Sequence, residues 1–169
     1  MDYAVYSNKH IGILGENKGG CMKISTKGRY GLRAMLDLAV HAKGDHVALG
    51  SIAERQNISM NYLEQVFATL RKAGLVKSIK GAQGGYILAY DPSEITVGSV
   101  LRVLEGNLSV IDEAAYSNLS PNSIQYCIKL HVWEKMNDSL NQVVDGITLE
   151  NLVENYKKLN GQSSMMYYI

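Results

Sequence analysis

Asn61, Gln65, Thr69 and Lys72 follow one another at spacings of four, four and three, opposite Leu63, Val66, Phe67 and Leu70. The apolar four sit at i, i+3, i+4 and i+7, the buried stripe of a helix, so the polar four form its exposed face. Amide and hydroxyl side chains in such a row both donate and accept hydrogen bonds, which is the chemistry of reading base edges in a DNA major groove. A second set follows: Lys77 and Lys80 lead into Gly81-Ala82-Gln83-Gly84-Gly85, two cations beside chain with little side-chain bulk. The glycines suggest a phosphate-cradling loop, but such loops lead from a strand into a helix. This one leads into Tyr86-Ile87-Leu88-Ala89-Tyr90, a second strand, closed by Asp91-Pro92. Bond-making chemistry has no comparable constellation. There is no nucleophile elbow, no Walker loop and no HExxH, and the four histidines are scattered, so an enzyme is not expected.

The elements that must position these residues follow from local rules. Leu49 to Gln56 reads as a helix, and Asn57 supplies the turn, because Asn tolerates a left-handed backbone. Ala53 is small enough for a second helix to approach, and Ile58 plugs the angle. That second helix begins after Ser59, a favoured N-cap type, and ends at Gly74. Leu75 to Lys80 alternates with period two, as a half-buried strand does. The unit predicted is a helix-turn-helix followed by a basic, glycine-tipped hairpin, a wing able to lie on the DNA backbone or in the minor groove. A plain core of two packed helices is the other reading of the helix pair alone, and the hairpin and the charge distribution argue against it.

Net charge is only +1 over 169 residues, but it is unevenly divided. Residues 22 to 90 hold ten Lys and Arg against four Asp and Glu, and residues 91 to 169 hold five against ten. The first part suits phosphates, and the second should avoid them. No apolar run approaches membrane-span length, no secretion signal is present, and Cys21 and Cys127 build no disulfide framework, so the cytoplasm is the default.

Residues 1–21 lack periodicity and end in Lys18-Gly19-Gly20-Cys21 before Met22, which can be encoded as a purine-rich ribosome-binding sequence ahead of a start codon. The expectation is a natural start at Met22 with a non-native leader before it; an N-terminal arm is the competing reading. Ser25 or Thr26 then caps a helix with Leu32, Met35, Leu36, Ala39 and Val40 facing inward. Lys23, Lys27, Arg29 and Arg33 crowd its start, against the macrodipole, which points to a phosphate partner or else to a solvated face. Thr96 caps a short helix, 107–124 reads as a loop, and a long helix from about Ile124 to Asp145 carries Ile128, Val132, Met136, Leu140 and Val143 as a nearly straight apolar seam. A second copy of the chain, or the first helix, should cover that seam. Thr148 starts a last helix (Leu149, Leu152, Val153, Tyr156), followed by a polar linker, Asn160 to Ser164, and a tail.

Through Met22-Lys-Ile-Ser-Thr-Lys-Gly-Arg-Tyr-Gly-Leu32, Tyr62-Leu-Glu-Gln65, Leu70-Arg-Lys-Ala-Gly-Leu-Val76 and Lys80-Gly-Ala-Gln-Gly-Gly-Tyr86, the chain resembles the Rrf-type winged-helix regulators over essentially all of 22–169. The resemblance implies a homodimer with paired recognition helices on a roughly palindromic operator. It implies base contacts from Ser59, Asn61, Glu64 and Gln65, and minor-groove contacts from Ser78, Lys80 and the turn Gln83-Gly84-Gly85. Tyr62, Thr69 and Lys72, with Thr26, Lys27, Arg29 and Tyr30 from the first helix, complete the expected DNA surface.

Many members of the family hold an iron–sulfur cluster on three cysteines. Here only Cys127 stands at such a position; the family's spacing of about six leads back to Pro121 and Ala115, and the histidine-ligand position is Leu130, one place from His131. A cluster needs about four ligands, so the resemblance implies a member without a conventional cluster, and neither cofactor nor metal is expected. That loss, with the ending Thr148-Leu-Glu-Asn-Leu152 and a final Met-Tyr-Tyr-Ile169, brings the resemblance nearest to the family's cysteine-metabolism repressors, the CymR type. These act with O-acetylserine (thiol)-lyase, the PLP-dependent cysteine synthase, whose active site accepts C-terminal isoleucine tails. Met166, Tyr167, Tyr168 and Ile169 are then the expected partner-binding residues, the terminal carboxylate using groups that hold a substrate carboxylate. Packing of Met165 to Ile169 on the dimer is the alternative.

The expected protein is mainly α with a small β-hairpin: a leader or disordered arm (1–21), a winged helix-turn-helix DNA-binding domain (22–92), connector and dimerisation helices (93–160) and a tail (161–169). The expected function is repression of cysteine and sulfur metabolism genes under control of the partner enzyme. A redox- or iron-responsive regulator sensing through Cys127 is the second reading, and a partner-binding module without DNA affinity conflicts with the basic half and its wing.

Overall fold

The structure is a computed structural model that describes residues 24–42, 44–81, 83–111 and 118–165, with side chains to Gly161. The N-terminal leader, Cys21 and the tail Met166 to Ile169 lie outside the described residues.

Ser25 opens α1 (Thr26–His41): its hydroxyl accepts from the backbone N–H groups of Lys27 and Gly28, satisfying two donors that a helix start leaves free. Next, α2 (Leu49–Gln56) stops at Asn57, whose φ of 51° is the left-handed conformation expected there. After it, α3 (Met60–Lys72) runs to Gly74, which takes φ 79°. The chain then forms β1 (Val76–Ile79) and β2 (Gly85–Leu88), paired antiparallel from Val76 opposite Leu88 to Ile79 opposite Gly85. Val47, just before α2, exchanges both backbone hydrogen bonds with Tyr86 at 2.9 Å, so the hairpin is tied to the helix-turn-helix along a third segment.

The larger of two hydrophobic clusters is built by α1, α2, α3 and β1. Met35 and Leu38 of α1, Ile52 of α2, Leu63, Val66, Phe67 and Leu70 of α3, and Val76 are all at most 1 % exposed. Each such side chain contributes about 1.5–3 kcal/mol by leaving water. Phe67 meets Tyr86 edge to face at 4.7 Å between ring centroids, fixing the hairpin to α3.

Thr96 caps α4 (Val97–Glu105) through its Oγ1, 3.0 Å from the Ser99 N–H. The long helix expected from Ile124 to Asp145 is present in three parts: α5 (Ile124–Ile128), a π-helical turn (Lys129–Trp133) and α6 (Glu134–Asp145). Steps of four residues drift by about 40° on an α-helix, and the wider π turn takes up that drift between Ile128 and Met136. Beyond it the seam divides. Leu140 turns inward with Val144 onto Val97 and Leu101, while Ile128, Val132, Met136 and Val143 remain 39–60 % exposed. Leu140 therefore packs within its own chain, unlike the rest of the predicted dimerisation set. Arg102 of α4 clamps α6 with both terminal nitrogens on Asp145, at 2.6 and 2.8 Å, and a third bond to Asn141 at 2.7 Å.

Finally α7 (Leu149–Met165) packs on α1. It passes straight through the stretch read from sequence as a linker, Asn160 to Ser164. No proline interrupts the run, and a lone Gly161 costs a helix only about 1 kcal/mol. Leu149 is fully buried, whereas residues 154–161 are exposed.

Candidate nucleic-acid interface

The buried stripe of α3 sets the opposite face outward. Ser59, Asn61, Glu64, Gln65 and Lys72 are all exposed, and Tyr62 and Thr69 are half-buried. Ser59 occupies the N-cap position of α3, but its side chain makes no capping bond, so its hydroxyl is open to a ligand at the helix start. Thr69 behaves differently from its exposed neighbours: its hydroxyl donates back to the Gln65 carbonyl at 3.0 Å, which ties it into the helix.

The start of α1 flanks this face. Tyr30 meets Tyr62 edge to face at 5.9 Å, and the Arg33 guanidinium lies 5.3 Å from the Tyr30 ring centre. Thr26 and Arg29 are exposed beside them and joined by a bond of 3.2 Å, while Lys27 is half-buried. The structure thus gathers the polar residues of α3 and the basic start of α1 around the Tyr30–Tyr62 contact.

The wing presents Lys80 and Gln83 to solvent, with Ser78 half-buried. Gly84 and Gly85 have an internal reason to lack side chains: a Cβ at either would stand 2.4 Å from a backbone oxygen, Ile79 and Val47 respectively.

Two residues at this interface were not expected from sequence. Arg71, in the last turn of α3, reaches Ser78 Oγ at 3.5 Å and joins recognition helix to wing; it lies seven residues after Glu64, a helical repeat that marked it as sharing that side. His46 spans Asp45 Oδ1 at 2.7 Å and the Gln83 carbonyl at the wing tip. Both partners accept, so both contacts are hydrogen bonds only when the ring carries two protons. Hydrogen bonds from the His46 backbone and ring, with its charge, hold the Asp45 carboxyl below its usual range.

Beneath the surface, Asp37 fixes α1 to α2. Its buried carboxylate receives Arg55 at 2.6, 3.1 and 3.2 Å and Gln56 Nε2 at 2.7 Å. The hydrogen bond to Asp37 raises the Arg55 pKa further above its ordinary value.

A recognition helix with an exposed polar face, a basic first helix and a glycine-tipped hairpin on one core define a winged helix-turn-helix regulator that binds DNA. Residues 24–155 match the Rrf2 family, described as an iron-dependent transcriptional regulator, and the chain belongs to that family. It is similar to the HTH-type transcriptional regulator CymR of Bacillus subtilis, 44 % identical over 149 residues, covering 88 % of this chain and all of that one. It is also similar to IscR of Pectobacterium atrosepticum, 40 % identical over 139 residues, covering 82 % and 84 % of the two chains. Among solved structures, CymR (YrzC), described as the global cysteine regulator of B. subtilis, superposes with a TM-score of 0.67 at 43 % identity, covering 79 % of this chain and 97 % of its own. T. potens IscR superposes at 0.66 with 47 % identity, covering 81 % and 90 %. These relatives are named as transcriptional regulators, not as enzymes.

Iron, which the family description implies, meets a poor donor set here. Cys127 is an exposed free thiol, and no group of three or more His, Cys, Asp or Glu suited to a metal occurs among the described residues. Pro121 and Leu130 carry no ligating atom, and Ala115 lies outside the described residues. These residues do not fit a three-thiolate cluster. No helix among the described residues is long and apolar enough to cross a membrane.

Proposed function

We propose that this chain is a dimeric repressor of cysteine and sulfur metabolism genes, without a conventional iron–sulfur cluster, controlled through a complex with O-acetylserine (thiol)-lyase. The observation that carries it is the combination of full-length similarity to CymR with a single thiol, Cys127, where a cluster would need three. Dimerisation is supported by the exposed apolar stripe of Ile128, Val132, Met136 and Val143 on a helix otherwise fastened to its own domain by Arg102. A two-fold axis at such a stripe pairs identical surfaces, and a symmetric dimer presents two copies of α3 to a roughly palindromic operator. Within each half, Ser59, Asn61, Glu64 and Gln65 read base edges; Lys72, Lys80 and the start of α1 bind phosphates. Met166, Tyr167, Tyr168 and Ile169 follow the exposed outer half of α7 in sequence and are the residues proposed to meet the enzyme.

The test is a calorimetric titration of the protein, and of a form lacking Ile169, with the same organism's O-acetylserine (thiol)-lyase. Binding that disappears without Ile169, or on addition of O-acetylserine, supports control through the tail. No binding by the intact protein contradicts it. The exposure of Cys127 favours one second reading, a thiol- or iron-responsive regulator. Iron analysis of anaerobically purified protein separates the two.

A further inference from the structure

Between α1, the end of α2 and α7 lies a cavity of about 130 Å³, lined by Arg33, Leu36, Asp37, Val40, His41, Gln56 and Tyr156. We propose that it binds a short-chain monocarboxylate, held by Arg33, His41 and Tyr156, and that the bound anion acts on the helix-turn-helix directly. This site is independent of the C-terminal tail and of any partner enzyme.

Charge decides the class of ligand. The one acidic group in the cavity, Asp37, is saturated by Arg55 and Gln56. Among the described residues Arg33 pairs with no carboxylate: its Nε and Nη2 are spent on Gln56, and its Nη1 has no partner there. Tyr156, whose backbone carbonyl accepts from Asn160 Nδ2, lines the same cavity with its side chain, and its hydroxyl makes no hydrogen bond to a described residue. Leu36, Val40 and the Tyr156 ring supply apolar wall. A small pocket with apolar walls and a few donors is the usual form of a small-molecule site. An aliphatic cavity of about 150 Å³ accepts benzene, so this one accommodates about five or six heavy atoms, a carboxylate with a short alkyl chain.

His41 gives the site a pH dependence. Its Nδ1 is 2.8 Å from the Asp37 carbonyl, which can only accept, so Nδ1 carries the proton. In the neutral ring Nε2 therefore offers a lone pair, which repels a carboxylate; in the imidazolium it donates. Binding takes up a proton and is tighter at lower pH. The groups sharing the cavity with His41 are Asp37, with Oδ1 at 3.5 Å, Arg33 on α1, Gln56 on α2 and Tyr156 on α7, and Arg55 of α2 reaches Asp37 beside them.

The route to DNA is short. Arg33 Nη2 donates to the Gln56 carbonyl at 2.5 Å, at the last residue of α2, and the guanidinium stacks on Tyr30, which meets Tyr62 at the start of α3. An anion that draws Arg33 away competes with both contacts and lowers operator affinity.

The experiment is an NMR titration of the full chain with butyrate and, as the uncharged control, butyramide, at about pH 6 and about pH 8. Expected are saturable shifts at His41 and Tyr156 with butyrate alone, binding about tenfold tighter at the lower pH, and a loss of about tenfold in His41→Gln and in Arg33→Gln. Tyr156→Phe, which keeps the wall and removes the hydroxyl, weakens binding several-fold, and it serves with His41→Gln if Arg33→Gln fails to fold. Absence of saturable shifts, equal binding of butyramide, or an unchanged pH profile in His41→Gln overturns the site. Operator affinity that butyrate leaves unchanged overturns the coupling.

Discussion

The winged helix-turn-helix and the α5–α6 helix spend their apolar residues in opposite ways. In the first, Leu63, Val66, Phe67 and Leu70 are buried by elements of the same domain, and what remains outside is polar and basic. In the second, Leu140 and Val144 are covered by α4, while Ile128, Val132, Met136 and Val143 face outward. The contrast teaches that one region buries its apolar residues within its own chain, whereas the other leaves an apolar stripe uncovered, which the proposed dimer would bury.

Substitutions at the two regions should separate accordingly. Met136→Glu with Val143→Glu removes four apolar side chains from a two-fold interface, a loss of about 6 kcal/mol or more. Sedimentation should show a folded monomer, and a persisting dimer would place the interface elsewhere. Phe67→Ala should cost about 3–5 kcal/mol in denaturant unfolding, because a cavity opens where α3 meets Tyr86; a loss near 1 kcal/mol would mean the core is not the rigid partner in this comparison. Gln65→Ala should leave both stability and assembly intact and lower discrimination between operators by about 1–3 kcal/mol, measured against non-specific DNA. Equal weakening on every DNA would remove Gln65 from base readout.

Two smaller effects concern the joint between the regions. The Arg102 hydrogen bond and charge hold the Asp145 carboxyl below its ordinary range. The folded value is the lower one, so the stabilisation is present above about pH 4 and is lost as the pH falls further. Both side chains are well exposed, 39 % and 45 %, so Asp145→Asn should cost about 0.2–1 kcal/mol near neutrality and nothing in strong acid, read by unfolding across pH. Trp133 buries its indole Nε1 without a hydrogen-bond partner. Trp133→Phe removes that unmet donor, which offsets the smaller ring and should change stability by under about 0.5 kcal/mol. A large loss would show that the indole nitrogen is satisfied in the dimer.

Where local chemistry decides, the sequence was legible. The bounds of α2, the left-handed Asn57, the caps at Ser25 and Thr96 and the hairpin after Gly74 all follow from residue types at short range. The features that were not legible depend on tertiary contacts. The packing of Leu140 and Val144 on α4, beyond the π turn, depends on tertiary contacts that no spacing rule encodes. The Asp37–Arg55–Gln56 cluster joins residues 18 and 19 apart, and the His46 contact to the wing tip joins residues 37 apart. At the interface the types and spacing on α3 identified an outward polar face, but not that Thr69 bonds to its own helix or that Arg71 reaches the wing.

The most direct test of the division between recognition and assembly is operator binding across a salt series, for the intact protein and for the Met136→Glu, Val143→Glu form. The intact protein should bind its operator with log affinity falling linearly against log salt, by about 0.9 for each phosphate neutralised, and the monomeric form should lose both much of that slope and most of the affinity. Equal affinity and slope in the two forms would contradict the assignment of assembly to the α5–α6 stripe.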